Sequence, residues 1–350
     1  MELKDIKLTP LLDTLKLLKI SDSVYFSEQY SHYVSNSRLG LLNPRQKGTP
    51  EKFFEGFKNE GYVPAFELGS AVHELVLQPE YFELSENMGK PTAKLGAMAD
   101  ALYPSFLGGK MTNKDVIEAS DKVSYYKGKM TKERIANVLS SSKEYWQNRK
   151  TNEFDLSQDK EIIYLDNKST EIVKSCVNAL QSDQNVMDLL HPKGIVEAPI
   201  SENEQAFLLD VKAECPNGKT FILHLKSKLD NFTIDKETNT IIVNDIKTIG
   251  KIVSEIDTNI KLYHYSREFA MYIYLLKLYA ENVLGMENLN IRANYLVVST
   301  VPNFYTKVRP VTYGEIRDGF HEFKTLLKYA AYQIGYHDYS LDERPSKYQL

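Results

Sequence analysis

The spacing of apolar and polar positions changes character near residue 195. Before that point the periodicity is mostly helical. "VPAFELGSAVHELVLQPEYF", residues 63–82, reads as an amphipathic helix, stopped by Pro79 after its apolar run. "NKSTEIVKSCVNALQSDQNVMDLLH", residues 167–191, keeps Ile172, Cys176, Leu180, Val186 and Leu189 at near-helical spacing, and "HPKG" breaks it. Residues 1–60 are polar-aromatic and lean helical, with a loop at "LLNPRQKGTP". Residues 85–150 are polar, lysine-rich and weakly periodic, which predicts short helices and exposed loops. After 195, β-branched and aromatic residues gather into the runs "IVEAPI", "AFLLDVKAEC", "TFILHLKSKLDNFTI" and "TIIVNDIKTI". Polar "ENEQ", "PNGK" and "DKETN" separate them, so the pattern predicts consecutive strands. A long helix over 263–285 ending at Gly285, a strand "NYLVVST" and a closing helix over 311–335 complete the chain. Strands bracketed by helices predict an α/β fold: one sheet with helical additions, a helical extension over 1–60 and a single domain over 61–350.

One predicted hairpin carries candidate chemistry. With the turn near Glu237 and Thr238, an antiparallel register sets Asp230 opposite Asp245, where Cβ atoms lie about 5 Å apart. His224, Lys226, Lys228 and Asp230 then share one face of the first strand, and Val243, Asp245 and Lys247 share one face of the second. Two close carboxylates repel unless a cation lies between them or one takes a proton. Carboxylate oxygens suit Mg²⁺, and a lysine two residues on can position a water or stabilise negative charge on a phosphate. Lys226 and Lys228 suit a phosphate backbone. A salt-bridged strand end accounts for the same spacing, so the hairpin by itself leaves both readings open.

Composition narrows the field. The chain has 350 residues, 42% apolar and 26% charged, enough for a sizeable core. Its formal net charge of −4 predicts that any DNA contact is a local basic patch in an acidic remainder. Two unpatterned cysteines, Cys176 and Cys215, argue for a reducing compartment and exclude a four-cysteine zinc or iron–sulfur site within the chain. No apolar run approaches the ~20 residues of a membrane span and no signal pattern opens the chain, so a cytoplasmic protein is expected. The six lysines from Lys110 to Lys132 either line a nucleic acid or form a solvated surface.

Taken in order, "GSAVHEL" on a helix, "KSKLD" ending one strand, "NDIKT" on the next and an aromatic-rich helix afterwards resemble the PD-(D/E)XK nuclease superfamily. Within it the chain is most similar to the phage-type exonuclease branch that includes RecE (exonuclease VIII) and, more distantly, lambda exonuclease. The similarity spans roughly residues 66–275. It implies a restriction-endonuclease-like core, a mixed central sheet flanked by helices. Carried over by position, Asp230 and Asp245 are the acidic metal ligands, Lys247 the catalytic lysine and His73 a further ligand from the helix. Without the resemblance, His73 reads first as a core histidine bonded to backbone; the full pattern reverses that preference. Gly69, one turn earlier, costs about 1 kcal/mol relative to Ala in a helix, consistent with close packing or ligand approach. Glu197 matches a weaker acidic position, as an outer ligand or a solvated strand end.

Two positions depart from the family pattern. Related nucleases carry Q–x–x–x–Y on the helix after the lysine strand; here "EFAMY" places Glu268 in the Gln position and keeps Tyr272. Leu229 replaces the proline before Asp230, a change without chemical consequence. The resemblance implies a Mg²⁺-dependent deoxyribonuclease, with Mn²⁺ able to substitute. It also implies 5′-to-3′ digestion of linear duplex ends, a ring-shaped trimer or tetramer, and 3′ strands for an annealing protein in phage-type recombination. A structure-specific or single-strand nuclease and a non-catalytic binding module are the alternatives.

Overall fold

The computed structural model describes residues 3–56, 64–86, 88–155, 160–192, 200–216 and 218–336. In chain order the elements are β1 (Lys7–Lys19), α1 (Asp22–Tyr25), α2 (Asn36–Gly40), α3 (Pro50–Glu55), α4 (Pro64–Leu77), β2 (Phe82–Ser85), α5 (Ala93–Leu107), α6 (Asn113–Lys122) and α7 (Lys132–Asp155). Then follow β3 (Glu161–Tyr164), α8 (Asn167–Ser182), α9 (Gln184–Leu190), β4 (Ile200–Glu214), β5 (Thr220–Asp235), β6 (Thr240–Ile249), α10 (Ile256–Tyr263), α11 (Tyr265–Asn282), β7 (Asn290–Ser299), β8 (Thr306–Pro310) and α12 (Tyr313–Tyr336). Two compact units result: Met1–Asn59 with Gln184–Val297 and Thr306–Leu350, and Glu60–Asp183 with Val298–Tyr305.

The first unit is built on a six-stranded sheet in the order β1-β4-β5-β6-β7-β8. The α/β expectation holds, with helices flanking a largely antiparallel sheet. β4 and β5 form a long antiparallel ladder from Ile200↔Ile234 to Glu214↔Thr220. It continues through "ENEQ", whose polarity predicts a break between strands. Up to Asp230, Leu223, Leu225 and Leu229 enter the hydrophobic core from alternate positions of β5; beyond it Phe232 and Ile234 join the same core. The β5–β6 ladder covers only Asn231↔Asn244 to Asp235↔Thr240. Its register is the expected one, so Asp230 and Asp245 are the next pair in line. β5 finds a different neighbour further back, where Val34 N–H donates to the His224 carbonyl at 2.7 Å and Lys226 N–H to that of Val34 at 3.1 Å.

The N-terminal segment departs from its helical expectation. Three short helices form there, but Lys7–Lys19 is an edge strand paired with β4. A bulge between Leu11 and Lys16 shifts the register. Thr14 fills it: its hydroxyl donates to the Leu11 carbonyl at 2.7 Å and accepts from Asp210 N–H at 2.8 Å. The bulge moves Leu15 and Leu17 onto the core side, so leucines at mixed spacing satisfy a strand that no single period describes.

The second unit carries α4 and α8, the parallel pair β2 and β3, and the helices α5, α6 and α7. The segment expected as short helices and loops contains the 24-residue α7 and has its own core. That core uses Ala97, Ala99, Tyr103, Tyr145 and Trp146 beside Met98, Leu102 and Val138. Small and aromatic residues form a buried stripe without the Leu/Ile periodicity that marks one in sequence. Among the described residues, no helix is long and apolar enough to cross a membrane.

Candidate functional site

The site forms where β5 and β6 part. Asn231, Asn244 and Asn203 mark the last shared rung, the Asn244 side chain donating to Asn231 Oδ1 and that of Asn231 to Asn203 Oδ1, both at 2.7 Å. One residue on, the strands no longer pair backbone to backbone. Instead, Ile246 N–H donates to Asp230 Oδ2 at 2.7 Å, so the carboxylate replaces a ladder carbonyl and holds the fork open.

Asp245 and Lys247 follow on β6 with the shared face that period two requires. Lys247 Nζ lies 2.7 Å from Asp245 Oδ2 and donates to Glu268 Oε2 at 2.8 Å. Glu268 comes from the first turn of α11, and Tyr265 of the same turn places its ring 4.5 Å from Lys247 Nζ. Burial pushes Asp245 well above the ordinary carboxylate range; Lys247 opposes the shift, and Asp230 and Glu268 reinforce it. Burial works against the charge on Lys247, but Asp245, Glu268 and Asp230 outweigh it and hold the ammonium protonated. Burial likewise keeps the Tyr272 hydroxyl protonated, helped by Glu268, Asp245 and Asp230. Three carboxylates thus bear on one ammonium.

Asp245 Oδ2 is buried and has no aligned hydrogen-bond donor. Its close contact is the ion pair with Lys247 at 2.7 Å, outside the geometry of an aligned hydrogen bond. Burial of the ionised carboxylate costs free energy that Lys247 only partly offsets, and a further cation or a proton relieves it.

β4 adds a residue absent from the sequence reading. Glu204 stands between the rungs Asn203↔Asn231 and Gln205↔Leu229, opposite Asp230, in the left-handed region at φ 55°. A non-glycine residue pays strain to sit there. The twist brings its carboxylate within 4.8 Å of that of Asp230. It was missed because "ENEQ" reads as a turn; only the pairing partner of Asp230 could have revealed it.

The remaining candidates sort as follows. Asp230, Asp245, Lys247, Glu268 and Tyr272 come together. Lys226 and Lys228 point along the same face but are drawn inward: Lys226 Nζ donates to the Tyr25 carbonyl at 2.8 Å, and Lys228 pairs with Asp22 and with Glu204, the latter at 2.5 Å. His73 lies half-buried on α4 in the second unit. Glu197 falls outside the described residues.

The donor set fits a hard divalent cation. Carboxylate oxygens are the ligands Mg²⁺ prefers, and the orphaned Asp245 oxygen and the neighbouring Glu204–Asp230 pair offer them within one unit. No protein-family model matches the chain, and no curated protein does. Among solved structures, the chain resembles a candidate exonuclease from Eubacterium rectale at 10% identity and a TM-score of 0.48, over 91% of this chain and 87% of that one, a level of likeness that carries no argument about function.

Proposed function

We propose that the protein is a metal-dependent nuclease that hydrolyses DNA phosphodiesters at the β5–β6 fork. The observation that carries this reading is the buried Asp245 Oδ2, without an aligned donor, beside a lysine held protonated by three carboxylates. Asp230 and Asp245 would hold the cation, with Glu204 beside them. The resemblance adds His73 as a ligand and Mg²⁺ as the metal. A cation bound there supplies positive charge at the phosphate and acidifies its bound water.

The chain's own residues do the rest. Lys247, protonated, stabilises negative charge developing on the phosphate and orients the attacking water. Glu268 accepts from Lys247 and keeps its ammonium aimed into the fork. A glutamine there could accept the same hydrogen bond but would add no negative charge, so Glu268 strengthens the hold on the lysine's proton. Tyr272, held protonated, donates a hydrogen bond without adding charge. The resemblance further suggests 5′-to-3′ digestion of duplex ends, a ring-shaped oligomer, an annealing partner and a phage-type recombination role in the cytoplasm.

The test is degradation of linear duplex and single-stranded DNA, labelled at the 5′ or the 3′ end, in Mg²⁺ and in EDTA. Release of label that requires Mg²⁺ and is lost in Asp245→Asn and Lys247→Ala supports the reading. Intact DNA with folded wild-type protein, in Mg²⁺ and in Mn²⁺, overturns it. Early 5′ release gives the direction, and His73→Ala tests the resemblance-based ligand through the Mg²⁺ concentration needed for half-maximal rate.

A further inference from the structure

The face of β5 that ends at Asp230 is covered by one short segment, residues 22–33, and the cover follows the strand residue by residue. Asp22 pairs with Lys228. Tyr25 and Phe26 hold their rings 4.4 Å and 5.6 Å from the Lys226 ammonium. His32 and Tyr33 place their rings 5.1 Å and 5.3 Å from that of His224. The contacts step back along β5 from Lys228 to His224 as the segment advances to its parallel bridge Val34↔Leu225, so aromatic groups line the approach to Asp230 in steps of two strand residues, about 6.6 Å each.

This cover is unusually aromatic and partly bare. Phe26 is 54% exposed, although Tyr25, packed edge-on against it at 5.0 Å, is buried. His32 is exposed as well. An exposed phenyl ring fixed from behind by a neighbouring ring and a buried ammonium is a rigid surface, because Lys226 is held by the Tyr25 carbonyl. Of the acids near this stretch, Asp22 is paired with Lys228 and Asp210 contacts His224 Nδ1 at 2.7 Å, while Glu28 on the segment itself is exposed.

We propose that Phe26 is a base-stacking platform for a single-stranded nucleic-acid end, with His32 as a second surface further back. Flat exposed rings aligned with a catalytic strand suit unpaired bases, which stack on aromatic faces whatever their identity; bases inside a duplex offer no free face. Phe26 faces Lys226, four strand residues or about 13 Å from Asp230, the length of about four stacked nucleotides. The strand that reaches the fork is therefore unpaired over its first few nucleotides. This assignment rests on the nuclease reading for its purpose, but its test does not.

Binding is measured in EDTA, without cleavage, using a fluorescein-labelled 15-mer of thymidine and an abasic 15-mer of the same phosphate backbone. Wild type is expected to prefer the thymidine strand. Phe26→Ala should weaken that binding about tenfold and leave the abasic strand unaffected, and Phe26→Leu, which keeps apolar bulk, should behave like Phe26→Ala. In Phe26→Trp the new indole fluorescence should be quenched on adding the thymidine strand; the native Trp146 is buried and does not report. The proposal is overturned if wild type shows no preference for bases, or if a folded Phe26→Ala binds both strands as wild type does. Base-dependent binding without Mg²⁺-supported cleavage would leave the platform standing and remove the nuclease reading. Mg²⁺-supported cleavage without base-dependent binding would do the reverse.

Discussion

Two lysines, the buried Lys90 of the second unit and the half-buried Lys247 of the first, are both held by carboxylates, and they differ in how completely those partners satisfy them. Lys90, in the second unit, donates to Glu67 at 2.6 Å and to the Tyr164 carbonyl at 2.6 Å, and pairs with Asp100 at 2.8 Å. Three acceptors meet three ammonium protons, so the group is saturated. Lys247, in the first unit, has Asp245 and Glu268 as neighbours, but its contact with Asp245 is misaligned and Asp230 adds a further negative charge. A satisfied cluster fixes a fold. On the proposed reading, a cluster with surplus negative charge takes up a cation. The count and alignment of partners distinguishes Lys90 from Lys247, and on the proposed function that difference separates a structural lysine from a reactive one.

The largest expected effect breaks the comparison by chemistry. Lys247→Ala or Asp245→Asn should lower the rate of Mg²⁺-dependent DNA cleavage by about 10³-fold or more, and Lys90→Met should leave it within about twofold below its melting temperature. Equal losses in both clusters would mean that the activity merely follows stability.

Next comes stability itself. Lys90→Met strands Glu67 and Asp100 around a buried stem and should cost about 3 kcal/mol in urea unfolding. Lys247→Met should cost less, because removing that ammonium lets the surplus carboxylates take up protons, as the raised Asp245 already favours doing.

A third test reverses the sign. The folded state holds a proton on Asp245 more tightly than the unfolded chain does, so ionising it costs stability as pH rises above 3.8. In EDTA at neutral pH, Asp245→Asn should therefore be more stable than wild type, by about 1 kcal/mol. Saturating Mg²⁺ should invert that order, raising the wild-type melting temperature by an amount worth about 2.7 kcal/mol at 100 times Kd and leaving the variant unmoved. A variant that Mg²⁺ stabilises as fully as wild type would place the ion elsewhere.

The smallest effect is at alkaline pH. Burial opposes the charge on Lys90, but Asp100 and Glu67 outweigh it and raise its pKa above 10.5. Its contribution is complete below 10.5 and fades as pH climbs through the raised value. The stability gap between wild type and Lys90→Met should then be constant from pH 7 to 10 and narrow above it, as read by urea midpoints.

The sequence alone determined what depends on neighbours along the chain. The register of the β5–β6 hairpin follows from its short turn and period-two pattern, and with it the placement of Asp230, Asp245 and Lys247 around one fork. Glu268 and Tyr272 follow from helical spacing on α11. Only the tertiary structure decided the partners that arrive from far away. Glu204 faces Asp230 because β4 continues through a polar stretch, and β1 is a strand because Thr14 bonds to Asp210 across 196 residues. Lys226 and Lys228, which read as contacts for a phosphate backbone, turn inward because residues 22–33 cover them. The α5–α7 helices pack through alanines and tyrosines that no apolar period announces. Local periodicity encodes which way a side chain points from its own backbone. What it then meets is fixed by long-range pairing, whose energy comes from contacts that adjacent residues do not contain.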